Sequence, residues 1–217
     1  NGSNVFEIKT PRSLAMLEQH ILRTPYLLLE DPRVLVIGVG GGIDILNALY
    51  QGASRVTGAE LQPITVRLHN TVLSEWTGGQ FQRPEVELVA AEGRHFVRSQ
   101  SQQYDLIQIT AVDTFSAQST GAYVLAESYL YTVEMLREAL DHLTDRGIIV
   151  AQFGEYDFEG RPNRTARYVS TAYAALDESG VDNPNQHLMV STSSDYPAQL
   201  STIVVKRRPF DNTETGR

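Results

Sequence analysis

The chain has 217 residues, of which 41% are hydrophobic, and it carries a formal net charge of −8. This acidic balance argues against a nucleic-acid partner, because phosphates are bound by basic surfaces, and the absence of cysteine excludes disulfides, thiolate catalysis and cysteine-ligated zinc. No apolar run approaches the roughly 20 residues that cross a bilayer, and no signal-peptide pattern opens the chain. We therefore expect a soluble, cytoplasmic domain, and any membrane segment would lie outside this chain.

The size suits one large domain between short terminal segments. We assign residues 1–30 to an N-terminal helix and lead-in, 31–208 to the domain, and 209–217 to a disordered polar tail. Apolar residues at helical spacing in "PRSLAMLEQHILRTP" predict that the first helix ends before Pro25.

Strand-like and helix-like stretches alternate through the domain. Predicted strands cover residues 34–39, 55–60, 86–93, 104–112, 147–153, 187–192 and 201–207, and predicted helices cover about 43–50, 63–76, 94–100, 128–143 and 163–176. Helices between strands imply right-handed crossovers and a mostly parallel sheet, and the last two strands are expected to pair antiparallel. The sequence therefore predicts an α/β, doubly wound, seven-stranded Rossmann-like sheet, and not a (β/α)₈ barrel, which would need eight regular units.

The first strand runs directly into a glycine-rich turn, "VLVIGVGGGIDIL". Gly38, Gly40 and Gly42 form G-x-G-x-G at the carboxyl end of the strand, where open sheets bind ligands. Bare backbone lets a ligand approach closely, and the helix that follows presents free N–H groups. A dinucleotide fingerprint would require glycine or alanine where Ile43 stands, which weakens an NAD interpretation.

Carboxylates follow the next two strands. Glu60 ends the second strand, 22 residues after Gly38, where it can accept hydrogen bonds from both hydroxyls of a ribose. Glu92 and Gly93 end the third strand, where a carboxyl or backbone group can meet the exocyclic amine of an adenine. Each feature alone is consistent with an ordinary turn or a surface charge, but together they predict a nucleoside site. The histidines share no metal-ligand spacing, so no metal is expected.

These motifs resemble the class I S-adenosylmethionine-dependent transferase fold and, within it, the spermidine synthases. The likeness covers about residues 25–152 and is carried by "TPYLLLEDPRVLVIGVGGG", "AEGRHFV…YDLIQI" and "SYLYTVEMLREALDHLTDRGIIVAQ". It implies S-adenosylmethionine or its decarboxylated form as cofactor, no metal, and a tendency to form homodimers. The cofactor-binding residues that it implies are Gly38, Gly40, Gly41, Gly42, Asp44, Glu60, Leu61, Glu92, Gly93 and Thr110.

The chain departs from the spermidine synthases at two places. Their fourth strand leads into Asp-Ser-x-Asp-Pro, and on "ITAVDTFSA" the first Asp falls on Thr110 and the second on Asp113. Asp113 is therefore the candidate catalytic residue if the loop "VDTFSAQSTGAY" folds over the pocket. The alternative, which the sequence favours equally, is that Asp113 only caps or supports this loop. In addition, only about thirty residues precede the core, where those enzymes carry a strand domain and a Tyr-His-Glu stretch. The candidate acceptor-binding residues are Tyr123, Glu127 and Gln152.

The sequence leaves three functions open. The first is transfer of an aminopropyl group from decarboxylated S-adenosylmethionine to a small-molecule amine. The second is methyl transfer from S-adenosylmethionine, for which the same core suffices. The third is a non-catalytic nucleoside-binding domain of a larger protein, with or without membrane attachment. Loss of the catalytic carboxylate with the nucleoside carboxylates retained would give this pattern.

Overall fold

The computed structural model describes Leu14, Leu17, Glu18 and residues 21–110, 129–155, 157–193 and 199–214. Its strands are β1 (Arg33–Ile37), β2 (Arg55–Glu60), β3 (Val86–Ala90), β4 (Tyr104–Thr110), β5 (Leu143–Glu155), β6 (Leu188–Ser193) and β7 (Gln199–Lys206). Its α-helices are α1 (Ile43–Tyr50), α2 (Pro63–Asn70), α3 (Gly93–Ser99), α4 (Val133–Asp141) and α5 (Asn163–Glu178).

The strands of the described chain form one sheet in the order β3-β2-β1-β4-β5-β7-β6. Neighbours from β3 through β5 are parallel, whereas β7 runs antiparallel to both β5 and β6. The predicted doubly wound, seven-stranded sheet with a C-terminal antiparallel pair is therefore confirmed. Strand order reverses between β1 and β4, which brings the ends of β1, β2 and β4 to the edge where such sheets bind ligands.

Both faces of the sheet are covered by apolar side chains. On β4, Leu106 packs into a core shared with α1, whereas the next residue, Ile107, packs into a second core with α3, α4 and α5. This alternation follows from the pleat, because successive side chains of a strand point to opposite faces. The face that carries α1 also holds a group of buried polar side chains near the end of β4.

The terminal segments remain in contact with the sheet domain. Residues Ile21–Leu27 form a 3₁₀ segment that contains Pro25 within it, where the sequence predicts that a helix has already ended. At the other end, the N–H of Phe210 donates to the carbonyl of Gln186 at 2.7 Å, and its side chain packs against the α1-side core. Lys206 forms an ion pair with Glu214, so this part of the predicted tail has defined contacts.

Helix α2 ends at Asn70, six residues before the predicted end at Trp76. In a continuing helix, the N–H of Thr71 would bond the carbonyl of Arg67. Instead the Thr71 hydroxyl donates to that carbonyl at 2.7 Å, and the Thr71 N–H bonds Leu68 at 3.2 Å. The side chain thus competes with the helical backbone, as threonine does at helix ends.

Helix α4 and strand β5 also differ from their predicted bounds. The helix begins at Val133 and not near residue 128, because the Thr132 hydroxyl caps it by accepting the N–H of Met135 at 3.2 Å. Strand β5 begins at Leu143, four residues before the predicted start. The β4–β5 register shifts between the pairs Tyr104–Leu143 and Leu106–Ile148, so the extra residues lie on β5. Within the described ranges, no helix combines the length and hydropathy that crossing a bilayer requires.

Candidate nucleoside site

The glycine turn after β1 has an open side and a packed side. Gly38, Gly40 and Gly42 all have positive φ, at 81°, 51° and 87°, which L side chains rarely adopt. A Cβ on Gly40 would meet no atom within 4 Å, whereas one on Gly42 would lie 2.5 Å from Gln80 Nε2 and 2.6 Å from Phe81 Cζ. Gly42 therefore lets the turn pack closely, and Gly40 leaves room for a ligand.

Glu60 connects the tip of β2 to this turn. Its Oε2 accepts the N–H of Gly40 at 3.0 Å, and its Oε1 accepts the N–H of Gln62 at 2.9 Å. The residue is only 8% exposed. A carboxylate has about four acceptor positions, so each oxygen keeps one for a further donor such as a ribose hydroxyl. Two of the residues singled out from the sequence are thus in direct contact.

His69 holds the same turn from its other side. Its Nε2 lies 2.8 Å from the carbonyl oxygen of Gly40, and since a carbonyl only accepts, Nε2 carries the hydrogen. The imidazole is buried and lies on Phe81, with ring centroids 4.2 Å apart. From the sequence we consider His69 only as a metal ligand, and its spacing from the other histidines does not suit that role. The contact joins residues 29 positions apart, and no local pattern indicates it.

Glu92 caps helix α3. Its two carboxylate oxygens accept the N–H groups of Arg94 and His95 at 2.9 and 2.8 Å, which satisfies donors that the first turn leaves free. Gly93 allows α3 to lie close to β1, because a Cβ there would come within 2.4 Å of Ile37 Cγ2. These contacts explain both residues structurally. Adenine recognition at this tip stays a prediction.

A buried polar cluster lies where α1 passes the end of β4. Asp44 Oδ1 accepts from Gln108 Nε2 at 2.9 Å, and the same amide nitrogen donates to the hydroxyl of Thr110 at 3.0 Å. The hydroxyl of Tyr26 donates to Gln108 Oε1 at 3.2 Å. We refer to Tyr26, Asp44, Gln108 and Thr110 as the Asp44 cluster. Asp44 and Thr110 were predicted as cofactor-binding residues, whereas the sequence does not indicate Tyr26 and Gln108.

Burial dominates the electrostatics of this cluster. It raises the pKa of Asp44 from 3.8 to about 7, although the hydrogen bond from Thr110 acts in the opposite direction. Burial also raises the pKa of Tyr26 well above its ordinary value, and the charge of Asp44 adds to that effect. Asp44 can therefore change its protonation state near neutral pH.

The remaining predicted residues are placed as follows. Gln152 stands beside Thr110 in the β4–β5 register, and its buried amide donates to Thr202 Oγ1 at 2.8 Å. Leu61 is half-buried directly after Glu60, and Gly41 is exposed in the turn. Asp113, Tyr123 and Glu127 lie outside the described residues. Among the residues that are described, no group of three or more His, Asp or Glu side chains could hold a metal ion.

Known proteins resemble this chain in sequence over part of their length. A polyamine aminopropyltransferase of Sulfolobus acidocaldarius is 28% identical over 126 residues, which are 57% of this chain and 39% of that protein. Polyamine aminopropyltransferase 2 of Hyperthermus butylicus is 31% identical over 64% of this chain and 45% of its own length. The corresponding protein of Korarchaeum cryptofilum is 27% identical over 84% and 56%. The chain thus spans about half the length of these relatives, and no family model matches it.

Solved structures resemble the fold. A spermidine synthase in complex with the transition-state analogue AdoDATO superposes with a TM-score of 0.65 at 19% identity, over 91% of this chain and 63% of that one. The spermidine synthase of Thermotoga maritima gives 0.62 at 20% identity, over 88% and 59%. An rRNA methylase from Streptococcus thermophilus gives 0.50 at 14% identity, over 93% and 99%.

The strand order and these structural likenesses define the class I methyltransferase fold. Within that class the sequence relatives are polyamine aminopropyltransferases, and this chain forms a spermidine synthase-like domain. The resemblance inferred from the sequence is confirmed.

Proposed function

We propose that this domain transfers an aminopropyl group from decarboxylated S-adenosylmethionine to a small amine. The observation that carries the proposal is the open space beside Gly40, bounded by the buried carboxylate of Glu60. The sequence relatives that are named polyamine aminopropyltransferases support the choice of reaction.

In this proposal the tips of the strands bind successive parts of the donor. Glu60 accepts the ribose hydroxyls, and Glu92 with Gly93 faces the adenine. The glycine turn from Gly38 to Gly42 leaves room for the sulfonium and its chain. The donor chain then points toward the end of β4, where Thr110 and Gln152 are adjacent.

The reaction is a displacement at the carbon next to the sulfonium. The lone pair of the amine forms a bond to that carbon, and the carbon–sulfur bond breaks to leave neutral methylthioadenosine. A free amine of this kind has a pKa near 10.4, so forming its lone pair at pH 7 costs about 4–5 kcal/mol. A carboxylate that takes the proton reduces this cost, and Asp113 is the proposed proton acceptor.

We also propose that the domain self-associates into a homodimer, as the resemblance to the spermidine synthases implies.

Titration calorimetry with three nucleosides tests the proposal. We expect decarboxylated S-adenosylmethionine to bind more tightly than S-adenosylmethionine, methylthioadenosine to bind, and added putrescine to yield an aminopropylated product by mass spectrometry. Asp113→Asn should abolish turnover and leave nucleoside affinity intact. Preference for S-adenosylmethionine would favour methyl transfer instead, and no binding of any of the three would overturn the nucleoside site.

A further inference from the structure

Exposed large apolar side chains concentrate on one segment of the described chain. Seven such side chains are exposed among the described residues, and three of them, Ile64, Val72 and Trp76, lie on helix α2 and the turns that follow it. Their exposed fractions are 59%, 77% and 48%. A single exposed apolar side chain is ordinary, but several on one segment are typical of an interaction surface. We refer to Ile64, Arg67, Val72, Glu75 and Trp76 as the α2 surface.

The local structure turns this surface toward solvent. In α2, the buried His69 lies about 200° around the helix from Arg67, which is exposed. Beyond the helix, the N–H of Thr77 bonds the carbonyl of Leu73 at 2.8 Å, which is the bond of a further helical turn. Thr77 is buried, and Glu75, two residues before it, is exposed. Both turns therefore bury one side against the domain and leave the other side uncovered by the described residues.

The two charges of the α2 surface have no partner within the described chain. Arg67 and Glu75 are both exposed, and none of the ion pairs among the described residues includes either of them. They are also the only Lys, Arg, Asp or Glu residues between positions 61 and 82, so this segment has no net charge.

This charge pattern favours a second copy of the chain as the partner. The whole chain carries a net charge of −8, so two copies repel each other in general, but the neutral segment avoids this repulsion. Across a two-fold axis the same surface is used twice, and residue i of one copy meets residue j of the other. A surface with one free cation and one free anion thus provides both partners of each ion pair itself.

We propose that the α2 surface binds a second copy of this chain across a two-fold axis. Arg67 of one copy then pairs with Glu75 of the other, and the symmetry forms this pair twice. Trp76 lies next to Glu75 and becomes buried between the copies, where tryptophan commonly contributes much of the binding energy. This inference rests on the homodimer proposed above, for which it names the surface, and it does not depend on the aminopropyl transfer.

The size of the surface sets the strength that we expect. Residues 61–82 are 22 positions, and only part of them is exposed. A standard interface uses about 20–30 residues from each partner. We therefore expect a dimer of moderate affinity, with a Kd of about 1–100 μM, which dilution can dissociate.

Trp76 reports directly on the proposed contact, because it is the only tryptophan of the chain. The wild-type protein is diluted from about 500 to about 0.5 μM, a range that brackets the expected Kd, and its sedimentation and tryptophan fluorescence are measured on the same samples. We expect a change from dimer to monomer, together with a shift of the emission to longer wavelength as Trp76 becomes exposed to water. Dissociation without any change in the emission would overturn the inference. This measurement needs no variant.

Charge reversal tests the pairing across the axis. Arg67→Glu and Glu75→Arg should each weaken the dimer by about 10- to 100-fold, because each change turns two attractive pairs into two repulsive ones. The double variant Arg67→Glu/Glu75→Arg exchanges the charges and should restore the Kd to within about threefold of the wild type. A double variant that dimerises no better than the single ones would overturn the pairing and the inference with it.

Trp76→Ala tests the apolar part of the surface. We expect it to weaken the dimer by about 30-fold or more, as loss of a central aromatic side chain does. Tyr173→Ala is the matched control, because Tyr173 is 41% exposed on α5, away from the α2 surface, and its loss should leave the Kd unchanged. Circular dichroism checks that each variant is folded.

The results separate this surface from the homodimer itself. An unchanged Kd in Arg67→Glu, Glu75→Arg and Trp76→Ala would overturn the inference, while a homodimer through another surface would stand. A wild-type protein that remains monomeric at about 500 μM, well above the expected Kd, would overturn both. Nucleoside binding and turnover are separate measurements, so none of these outcomes decides the proposed reaction.

Discussion

At the scale of single residues, two glutamates at neighbouring strand tips have different roles. Glu92 bonds the N–H groups two and three residues ahead, so its contacts are local and fit an ordinary helix cap. Glu60 instead bonds Gly40, 20 positions away, and lies beside the open part of the turn. Glu60 is therefore the carboxylate whose loss should affect ligand binding more.

Replacement of Glu60 by glutamine keeps its size but removes its charge and one acceptor oxygen. We expect Glu60→Gln to weaken methylthioadenosine binding by about 10- to 100-fold, the equivalent of one charge-assisted hydrogen bond of about 1.5–3 kcal/mol. Titration calorimetry measures this change. Glu75→Gln, at an exposed position, is the matched control. Equal affinities in both variants would show that Glu60 only supports the turn.

Asp44 should make the stability of the fold depend on pH. Its pKa is raised from 3.8 to about 7 in the folded protein. At a pH between these values, Asp44 keeps its proton in the folded protein but has lost it in the unfolded chain. Stability therefore falls as pH rises through this window, by about 2–3 kcal/mol between pH 5 and pH 8. Urea unfolding at the two pH values should show this loss in the wild type and in Asp182→Asn, which makes the same change at an exposed position. In Asp44→Asn the contribution should disappear, and an unchanged slope there would contradict the assigned pKa.

At the scale of elements, the glycine turn is held by two elements that come later in the chain, strand β2 and helix α2. Strand β2 supplies Glu60 to the N–H of Gly40, and helix α2 supplies His69 to its carbonyl. The 3₁₀ segment Gln80–Gln82 packs closely against Gly42 through the side chains of Gln80 and Phe81. The turn is thus fixed by its surroundings before any ligand binds, which lowers the entropy that binding must overcome.

Two alanine substitutions in this turn should have opposite consequences. Gly40→Ala places a methyl group in open space, so it should cost only about 1–2 kcal/mol for its positive φ but hinder nucleoside binding. Gly42→Ala also forces its methyl group against Gln80 and Phe81 and should destabilise the fold by about 1–3 kcal/mol more. Thermal unfolding and calorimetry distinguish these effects. Equal stabilities for the two variants would contradict the packing at Gly42.

At the scale of the whole molecule, the proposed ligand site and a stabilising polar network lie at opposite ends of the sheet. Asp105, near the start of β4, accepts the N–H of Arg33 at 2.9 Å, the hydroxyl of Thr144 at 2.7 Å and Nε of Arg146 at 3.0 Å. These bonds join β1, β4 and β5. Five residues along a strand separate Asp105 from Thr110, or about 17 Å. Burial raises the pKa of Asp105, but its hydrogen bonds outweigh this and leave the pKa below its ordinary value.

Asp105→Ala should therefore reduce stability without changing the ligand site. We expect a loss of about 1–3 kcal/mol, because the partners of the carboxylate are left unpaired. Since the pKa of Asp105 is lowered in the folded protein, its contribution is present at neutral pH and is lost on acidification. Denaturant unfolding at pH 7 measures the loss, and methylthioadenosine calorimetry provides the control. A matching loss of nucleoside affinity would contradict the separation of the two ends.

The sequence by itself determined the order of strands and helices, the sheet type and the glycine turn. These features depend on apolar periodicity and on glycine and proline positions, which act over a few neighbouring residues. Tertiary structure alone decided which polar groups meet. Tyr26 reaches Gln108 across 82 positions, Gln108 reaches Asp44 across 64, and His69 reaches Gly40 across 29. Such contacts arise when distant segments pack together, and no short-range pattern in the chain encodes them.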